Sequence, residues 1–403
     1  MTLNTKNSTE VLAAETQARE DKNMQGPLNI LMASGVPKRR EGGVASIIYN
    51  LGRELERRGH SVTYVFQEDL IKNSVSFRFR ELIFAKRLAG YIARNHQRFS
   101  VVDLHAPDGM VYGFRKRWRD SFPPYVMTLH GLEERRIHVM SREDQKGRAF
   151  NFSLKNRIWH KVYHMPRYRW SILNADGARV YSRDVWTMLQ LKYNLDFDRV
   201  AYIPNGVESR FFIPREYRSE DSVRLLYAGT WLDQRGIFYL REAVREASRK
   251  FPGLTLTIAG GGVSQEYLTD FFGSELVGKV VALPVVDSGR MQEIYAQHDI
   301  LVFPSLVEGL PGVLLEAMAT GMAVITAETC GMTDVVHSDV NGLLVPPADS
   351  KALEAAILRL ARSPELRQTL GSAAREAMRR HSWEESAEKL EGFYYHILAA
   401  KRK

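Results

Sequence analysis

The sequence has 403 residues and a mass of 46.0 kDa, and 44% of its residues are hydrophobic and 26% charged. These values are typical of a globular protein, and the length predicts two domains that each hold a complete core. The one cysteine, Cys330, excludes an intrachain disulfide and argues against a metal–thiolate site, as expected in a reducing cytoplasm. No apolar run approaches the ~20 residues of a membrane span, and we expect the polar residues 1–26 to be a disordered tail rather than a secretion signal.

Charge is divided unevenly along the chain. Residues 1–200 hold 34 basic and 21 acidic residues, a net charge of +13, whereas residues 201–403 hold 22 and 26, a net charge of −4. The first half is therefore predicted to face an anionic partner.

After the tail, the chain begins with a pattern typical of a strand–helix–strand unit. Residues 28–33 are an apolar run of strand length, Gly42 and Gly43 precede a helix with apolar residues at helical spacing, and residues 61–66 are the next strand. Such a unit produces a parallel sheet. The glycine pair either lets the backbone approach a phosphate or sugar closely or makes a plain turn. It is not the GxGxxG fingerprint of nicotinamide enzymes.

Four further strands are predicted in the first half, at residues 100–104, 125–129, 178–181 and 200–203. Several of them are followed by polar or turn residues, and in parallel α/β sheets ligands bind beyond the carboxyl ends of the strands. His130 directly follows one of these strands and is the best placed of the eleven histidines for a function. A structural histidine is nevertheless the more frequent case, so both interpretations stay open.

Residues 135–170 depart from this pattern because they combine ten basic residues with two acidic and six aromatic ones. Three interpretations fit: a surface for anionic lipid headgroups or an anionic acceptor, a surface for nucleic acid, or a solvated helix whose aromatic side chains pack inward. We expect no nucleic-acid partner. A further hypothesis is that this segment makes peripheral contact with the cytoplasmic face of an anionic membrane.

The second half repeats the alternation of apolar strands and helices. Residues 214–222 are interpreted as a linker between a first domain at residues 27–213 and a second at residues 223–380. The pattern predicts a second doubly wound parallel sheet, and residues 381–403 are a final helix. The predicted strands lie at residues 223–228, 254–259, 280–283, 300–303, 322–326 and 341–347.

The stretch from Glu308 to Gly321 joins two carboxylates through a Gly/Pro-rich turn and an apolar helix. Pro311 suits the first helical position and Gly321 the helix end, and free N–H groups at such a helix start favour anions. Glu316 is expected to meet a polar ligand or a cationic side chain, because a carboxylate in apolar surroundings is costly unless it is hydrogen-bonded. From spacing alone, the alternatives are a structural ion pair or the paired acid and base of a glycosidase.

Taken in order, these pieces resemble the family-4-type glycosyltransferases of the GT-B fold over residues 29–395. The resemblance implies an α/β protein with two Rossmann-like domains around a cleft and a C-terminal helix that crosses back to the first domain. The two glutamates match the family's EX7E motif. The stretches that carry the resemblance are Gly42-Gly43-Val44, Arg58-Gly59-His60, Thr128-Leu129-His130-Gly131, Ile203-Pro204-Asn205-Gly206-Val207, residues 226–236, residues 308–321 and residues 341–349.

The resemblance also implies roles for single residues in the second domain. Glu316 would accept hydrogen bonds from both ribose hydroxyls of the donor, and Glu308 would touch the transferred sugar. Arg235 would neutralise the diphosphate. Backbone amides of the turn formed by Gly309, Leu310, Pro311 and Gly312 would hold that diphosphate, although Pro311 itself has no N–H to donate.

From the first domain, Gly42 and Gly43 would approach the donor sugar or phosphate, and His130 would lie near the reacting centre. One donor-site position departs from the family: Thr230 stands where an arginine is common, and Arg235 stands where a lysine is common. Stabilisation of the leaving group would therefore depend more on Arg235 and the helix start.

As the resemblance implies, the reaction would be retaining transfer of a sugar from a nucleotide-diphosphate sugar to a hydroxyl of a glycan, lipid-linked or polysaccharide acceptor. A UDP-sugar is expected as donor before a GDP-sugar, with no cofactor and no metal. Asp196-Phe197-Asp198 has the form of a DxD metal motif but lies in a connecting loop, and we interpret it as a turn.

Two other functions stay open from the sequence. The fold alone would also suit a sugar-nucleotide epimerase or a phosphorylase, and the uncharged Thr230 would suit a non-catalytic nucleotide-sugar-binding protein. The paired glutamates, together with the sequence around His130 and Asn205, favour transfer.

Overall fold

The computed structural model describes residues 26–38, 43–71, 77–131, 133–148, 154–216 and 222–402. Gly42, most of the predicted tail and residues 217–221 of the predicted linker lie outside the described residues. The described strands form two six-stranded sheets in which every pair is parallel, which confirms the α/β class.

The first sheet has six strands, of which the four inner ones are buried on both faces, as the apolar runs predict, and the two edge strands are partly exposed. The strands are β1 Asn29–Ala33, β2 Ser61–Val65, β3 Val101–His105, β4 Tyr125–Leu129, β5 Gly177–Val180 and β6 Val200–Tyr202. Their order across the sheet is β2–β1–β3–β4–β5–β6. His130 follows β4 at the carboxyl edge of the sheet, as predicted.

The helices of the first domain cover both faces of this sheet. They are α1 Gly43–Arg57, α2 Gln67–Leu70, α3 Phe77–Arg94, α4 Met110–Lys116, α5 Glu133–Gln145, α6 Leu154–Trp159, α7 Met165–Leu173 and α8 Arg183–Tyr193. A π-helical turn, His160–His164, joins α6 to α7 and makes residues 154–173 one helical stretch. The candidate DxD sequence lies at the short 3-10 turn Phe197–Arg199, in agreement with its interpretation as a turn.

The second sheet has the strands β7 Val223–Ala228, β8 Leu254–Ala259, β9 Val280–Leu283, β10 Ile300–Phe303, β11 Ala323–Ala327 and β12 Leu343–Val345. Their order is β12–β11–β10–β7–β8–β9. The helices around it are α9 Ile237–Lys250, α10 Gln265–Phe272, α11 Met291–Gln297, α12 Gly312–Ala319, α13 Met332–Val335, α14 Ser350–Ala361 and α15 Pro364–Met378. Strand positions in this domain follow the prediction closely because both faces of each strand are apolar and glycines or prolines bound the runs.

The last helix, α16 Trp383–Arg402, returns to the first domain and packs on α1, as the fold prediction requires. Its Tyr394 hydroxyl donates to Oδ2 of Asp103 on β3 over 2.6 Å. Within the described residues, no helix is both long enough and apolar enough to cross a bilayer.

Buried charge fixes the position of α16. Glu391 is 2% exposed, and its two oxygens accept from Nε of Arg58 at 2.6 Å and from Nε2 of His60 at 2.9 Å. The backbone N–H of Leu28 donates to Nδ1 of His60, so the ring proton is assigned to Nε2, which faces the carboxylate.

We predict that Glu391→Ala lowers the free energy of unfolding by about 3–5 kcal/mol, because Arg58 stays largely buried without its partner. The control is Glu388→Ala, since this carboxylate is 55% exposed and lies 3.9 Å from the same arginine. That change should cost less than ~1 kcal/mol. Chemical denaturation measures both, and equal effects of the two substitutions would contradict the assignment.

Candidate active site

A helix start in the second domain forms one wall of the cleft. α12 begins at Gly312, and Pro311 is its N-cap residue at φ −72°. The helix therefore begins one residue later than the prediction, which placed Pro311 at the first helical position. Proline fits at the N-cap because its fixed φ suits this position and it has no N–H to satisfy. The first amides of such a helix have no intrahelical acceptor and carry the positive end of the dipole. Gly321, with φ +75°, follows the helix end as predicted.

Glu308 and Arg235 form an ion pair beside this helix start. Oε1 of Glu308 lies 3.2 Å from Nη2 of Arg235 and accepts from the Ser305 hydroxyl at 3.3 Å. Their side chains are only 14% and 19% exposed. Burial raises the pKa of Glu308, and the neighbouring guanidinium opposes that shift. The pair therefore holds a cation at the position where the family resemblance expects the diphosphate.

The loop that precedes Arg235 contains Thr230, the residue at the position where an arginine is common. Thr230 supplies no positive charge there. Gly229 has φ +115°, and a Cβ at that position would lie 3.0 Å from Nη1 of Arg235, so the guanidinium lies against the glycine. Thr230 is exposed, and its carbonyl accepts from the Tyr227 hydroxyl at 2.9 Å. Nε of Arg235 is buried and has no hydrogen-bond partner among the described residues. Arg235 therefore has donor capacity left for a ligand.

Glu316 lies on α12, and its carboxyl group accepts a hydrogen bond from a neutral side chain. Its Oε2 accepts from the Tyr295 hydroxyl at 2.8 Å, and burial raises its pKa despite that bond and the more distant charge of Arg210. The donor is a tyrosine and not the cationic side chain that the sequence suggested, because α11 brings Tyr295 alongside α12; the alternative of a polar ligand stays a prediction. The second oxygen remains available for a hydroxyl donor.

The first domain meets this motif through backbone contact. A Cβ added to Gly309 would lie 2.1 Å from the carbonyl oxygen of His130, so only glycine allows this approach. The N–H of Gly331 donates to the carbonyl of Gly309 at 2.9 Å, and Nδ2 of Asn205 reaches the carbonyl of Leu310 at 3.4 Å. His130 and the Glu308–Gly312 turn thus lie against one another.

His130 belongs to a stack of side chains that sequence reasoning missed. Nδ1 of His105 lies 2.5 Å from Nε2 of His130, so one ring donates and the other accepts. Tyr181 stacks against His130 with 5.1 Å between ring centroids, and the buried guanidinium of Arg179 lies 4.7 Å from the Tyr181 ring centroid. Burial, followed by the charge of Arg179, lowers the pKa of His130 to about 3, so the ring is neutral near pH 7.

His105 and Arg179 could not be assigned to this site from the sequence, because the sequence alone does not say which strands are neighbours. Only the pairing of β3, β4 and β5 brings them beside His130. The one available signal in the sequence was that His105 is a polar residue at the end of β3.

Gly43 stands at the start of α1 with open space around it. It has φ +64°, it is exposed, and a Cβ added there would meet no atom within 4 Å. The space suits close approach of a ligand to the start of α1. Gly42 lies outside the described residues, so its part in the prediction stays untested.

One group of metal-ligand types occurs among the described residues. Ligand atoms of Glu133, His160 and His164 lie within 4.8 Å of one another. Arg136 donates from Nε and Nη2 to both oxygens of Glu133, so that carboxylate already has a cationic partner. We assign no metal there.

Family models match both domains. Residues 41–211 match the model described as Glycosyltransferase Family 4, and residues 209–377 match the model described as Glycosyl transferases group 1. The D-inositol 3-phosphate glycosyltransferase of Saccharomonospora viridis is 31% identical over 230 residues, which are 52% of this chain and 53% of that protein. Across the curated relatives, the matched share of their own length runs from 50% to 74%.

Solved structures share the fold over nearly the whole chain. Sucrose-phosphate synthase from Thermosynechococcus elongatus has a TM-score of 0.75 at 22% identity and covers 92% of this chain and 100% of its own. Anabaena HepE in complex with UDP has a TM-score of 0.64 at 15% identity, with coverage of 90% and 98%. With both domains matched by glycosyltransferase family models, the chain belongs to the family-4-type glycosyltransferases of the GT-B fold, enzymes that transfer a sugar from a nucleotide-sugar donor.

Proposed function

We propose that the protein transfers a sugar from a UDP-sugar to a hydroxyl of a lipid-linked or polysaccharide acceptor, with retention of anomeric configuration. The observation that carries this proposal is the contact between the Glu308–Gly312 turn and His130. It brings the Arg235–Glu308 pair and the α12 helix start to face the neutral imidazole across one cleft.

The leaving group requires positive charge at the donor diphosphate. As the sugar–oxygen bond breaks, negative charge grows on the diphosphate, and preorganised donors stabilise it most where water is excluded. Arg235 has an unused, buried Nε–H, and the α12 amides lie beside it. We assign the diphosphate to these donors, with no metal ion in the proposal.

The ribose is assigned to Glu316 and the sugar to Glu308 and His130. Tyr295 occupies one oxygen of Glu316, which orients the carboxylate and leaves acceptor positions for the ribose hydroxyls. Neutral His130 can donate to or accept from a sugar hydroxyl without competing with Arg235 for the diphosphate. We propose that the acceptor hydroxyl attacks from the leaving-group face. Glu308 is held by Arg235 and is not assigned as a nucleophile.

The choice of UDP as the donor nucleotide rests on similarity to other proteins. HepE, which shares the fold, was solved with UDP. None of the contacts within the part of the chain that the structure describes distinguishes uracil from guanine, and a donor screen decides the base.

We further propose peripheral contact with the cytoplasmic face of an anionic membrane through a surface that we call the aromatic face. On this surface, apolar side chains from α4, from the turn that follows it and from the 154–173 helical stretch are exposed, including Trp118 at 77% and Val162 at 70%. Phe114 packs edge-on against Trp170 at 6.3 Å and joins the two parts. The aromatic face consists of Phe114, Trp118, Ile158, Trp159, Val162, Trp170 and Leu173.

The distribution of charged side chains supports the membrane proposal and restricts it to part of the predicted segment 135–170. On α5, Arg135 and Arg136 are ion-paired with Asp184 and Glu133. By contrast, the basic side chains beside the aromatic face are exposed and have no acidic partner among the described residues. These are Arg115, Arg117, Lys155 and Lys161. Exposed apolar residues ringed by unpaired cations suit anionic lipid headgroups.

We predict that Arg235→Ala lowers kcat by about 10²–10³-fold, because a preorganised charge on the leaving group is lost. The assay is nucleotide release from a UDP-sugar. Arg249→Ala on α9, the helix that follows Arg235, is the control, since this arginine is 61% exposed and its described ion pair is with Glu246. An unchanged kcat in the Arg235 variant would remove it from the diphosphate site.

Glu316→Ala should weaken UDP binding by about 10–100-fold, because hydrogen bonds between ribose hydroxyls and a buried carboxyl group are lost. Calorimetry with UDP measures the change. Glu293→Ala, an exposed acid on α11, should bind UDP as the natural protein does. Equal affinity of the Glu316 and Glu293 variants would contradict the ribose assignment.

For the membrane, the double variant Trp118→Ser/Trp170→Ser should reduce binding to phosphatidylserine vesicles by about tenfold or more, as buried apolar area is lost. Lys155→Glu/Lys161→Glu should also weaken binding and flatten its salt dependence. Co-sedimentation is the measurement. The matched control is Val285→Ser, an 89% exposed valine of the second domain. Binding that ignores anionic lipid content and salt would sink this proposal.

A further inference from the structure

A buried arginine on the acceptor side of the cleft has donors that no described residue uses. Arg167 lies on α7, and its side chain is 5% exposed. Its Nη1 donates to Glu81 over 2.8 Å. Its Nε and Nη2 are buried and have no hydrogen-bond partner among the described residues.

The two unused nitrogens form the side edge of the guanidinium. Nε–H and Nη2–H point in parallel and match two oxygens of a phosphate or carboxylate. An ionised group left in this state in a protein interior is destabilising, so a partner for this edge is expected. The hydroxyl of Tyr163, also buried and without a partner among the described residues, adds a third donor, with its ring centroid 4.7 Å from the guanidinium carbon.

Neighbouring contacts show which part of the fold this edge belongs to. On the same helix, the Tyr168 hydroxyl donates to the carbonyl of Gly131, and the Ser171 hydroxyl donates to the carbonyl of Pro107, both over 3.3 Å. α7 is thus bonded to the segments that follow β4 and β3. These segments lie at the carboxyl edge of the first sheet, where ligands of parallel sheets bind.

The same helix also carries part of the aromatic face. Pro166 and Trp170, on either side of Arg167 in the sequence, are exposed, whereas Arg167 is buried. Arg167 and Trp170 are three residues apart on this helix, so they lie on neighbouring parts of its surface. A group held at the arginine would therefore lie close to the aromatic face.

We propose that Arg167 and Tyr163 bind a phosphate group of the acceptor, so that the acceptor is a phosphate-bearing compound. This inference rests on the proposed transferase function and adds the chemical class of its acceptor. A phosphorylated lipid headgroup and a soluble phosphate ester would offer the same oxygens, and the experiment separates them.

Two acidic side chains, Glu81 and Asp108, face Arg167, and their negative charge would repel a phosphate bound there unless it moves away or is reduced. Glu81, which is bonded to Nη1, has a side chain that is 47% exposed, so its carboxylate can move toward solvent when a phosphate binds the Nε–Nη2 edge. Asp108 is buried, its Oδ2 accepts from the N–H of Gly35 at 2.7 Å, and burial raises its pKa to about 7. It therefore carries less than a full negative charge at neutral pH.

The soluble arm titrates the full-length protein with glycerol 3-phosphate in saturating UDP, which occupies the diphosphate site. The natural protein should bind, and Arg167→Gln should weaken binding by about 10–100-fold. Arg167→Lys should fall between them, because an ammonium offers charge without the parallel edge. Glu81→Gln should bind more tightly, since a competing charge is removed. Melting curves identify any variant that fails to fold, and the lysine variant then carries the test.

The membrane arm compares phosphatidic acid with phosphatidylserine vesicles of equal charge. If the source is a lipid phosphomonoester, Arg167→Lys weakens binding to phosphatidic acid alone. If the source is soluble, the two proteins bind both vesicles equally and differ only with glycerol 3-phosphate. The proposal is overturned if neither probe distinguishes the arginine variants from the natural protein. Nucleotide release from a UDP-sugar tests the transferase function separately, since it needs no acceptor phosphate.

Discussion

The arrangement of the cleft depends on one backbone contact between the domains. Gly309 approaches the carbonyl of His130 so closely that an added Cβ would lie 2.1 Å from that oxygen. The carbonyl of Gly309 in turn accepts from the N–H of Gly331 at 2.9 Å, which fixes the turn from its other side. Because Glu308 and the α12 helix start flank Gly309, this contact decides where the cation and the free amides lie relative to the first domain.

Electrostatics on the two sides of that contact are complementary. The second domain offers a buried cation, Arg235, that is only partly neutralised by Glu308. The first domain offers a neutral imidazole, since burial and Arg179 disfavour a protonated His130. A donor diphosphate would therefore contact positive charge only from the second domain. The sugar would lie toward the uncharged His130 of the first domain. This asymmetry suits a leaving group that gains charge while the sugar departs from it.

The sheets and most strand boundaries could be predicted from the sequence because apolar runs in a doubly wound fold are short and clearly bounded. The Glu308–Gly321 motif was also visible, since glycine, proline and isolated carboxylates stand out against an apolar helix. His105 and Arg179 could not be predicted, because their proximity to His130 arises from strand pairing. The aromatic face was only partly visible. The π-helical turn decides which side chains of residues 154–173 face solvent, and α4 contributes from a distant part of the chain.

The measurement that tests the account most directly is a screen of the purified protein against a panel of sugar nucleotides. Released nucleotide is scored, and the anomeric configuration of the product is read by NMR. The account predicts release from a UDP-sugar, with the donor's configuration kept in the product. Binding of nucleotides with no sugar released from any donor would contradict the assignment of Arg235, Glu308 and His130 to a reacting centre, and an inverted product would contradict the proposed same-face attack.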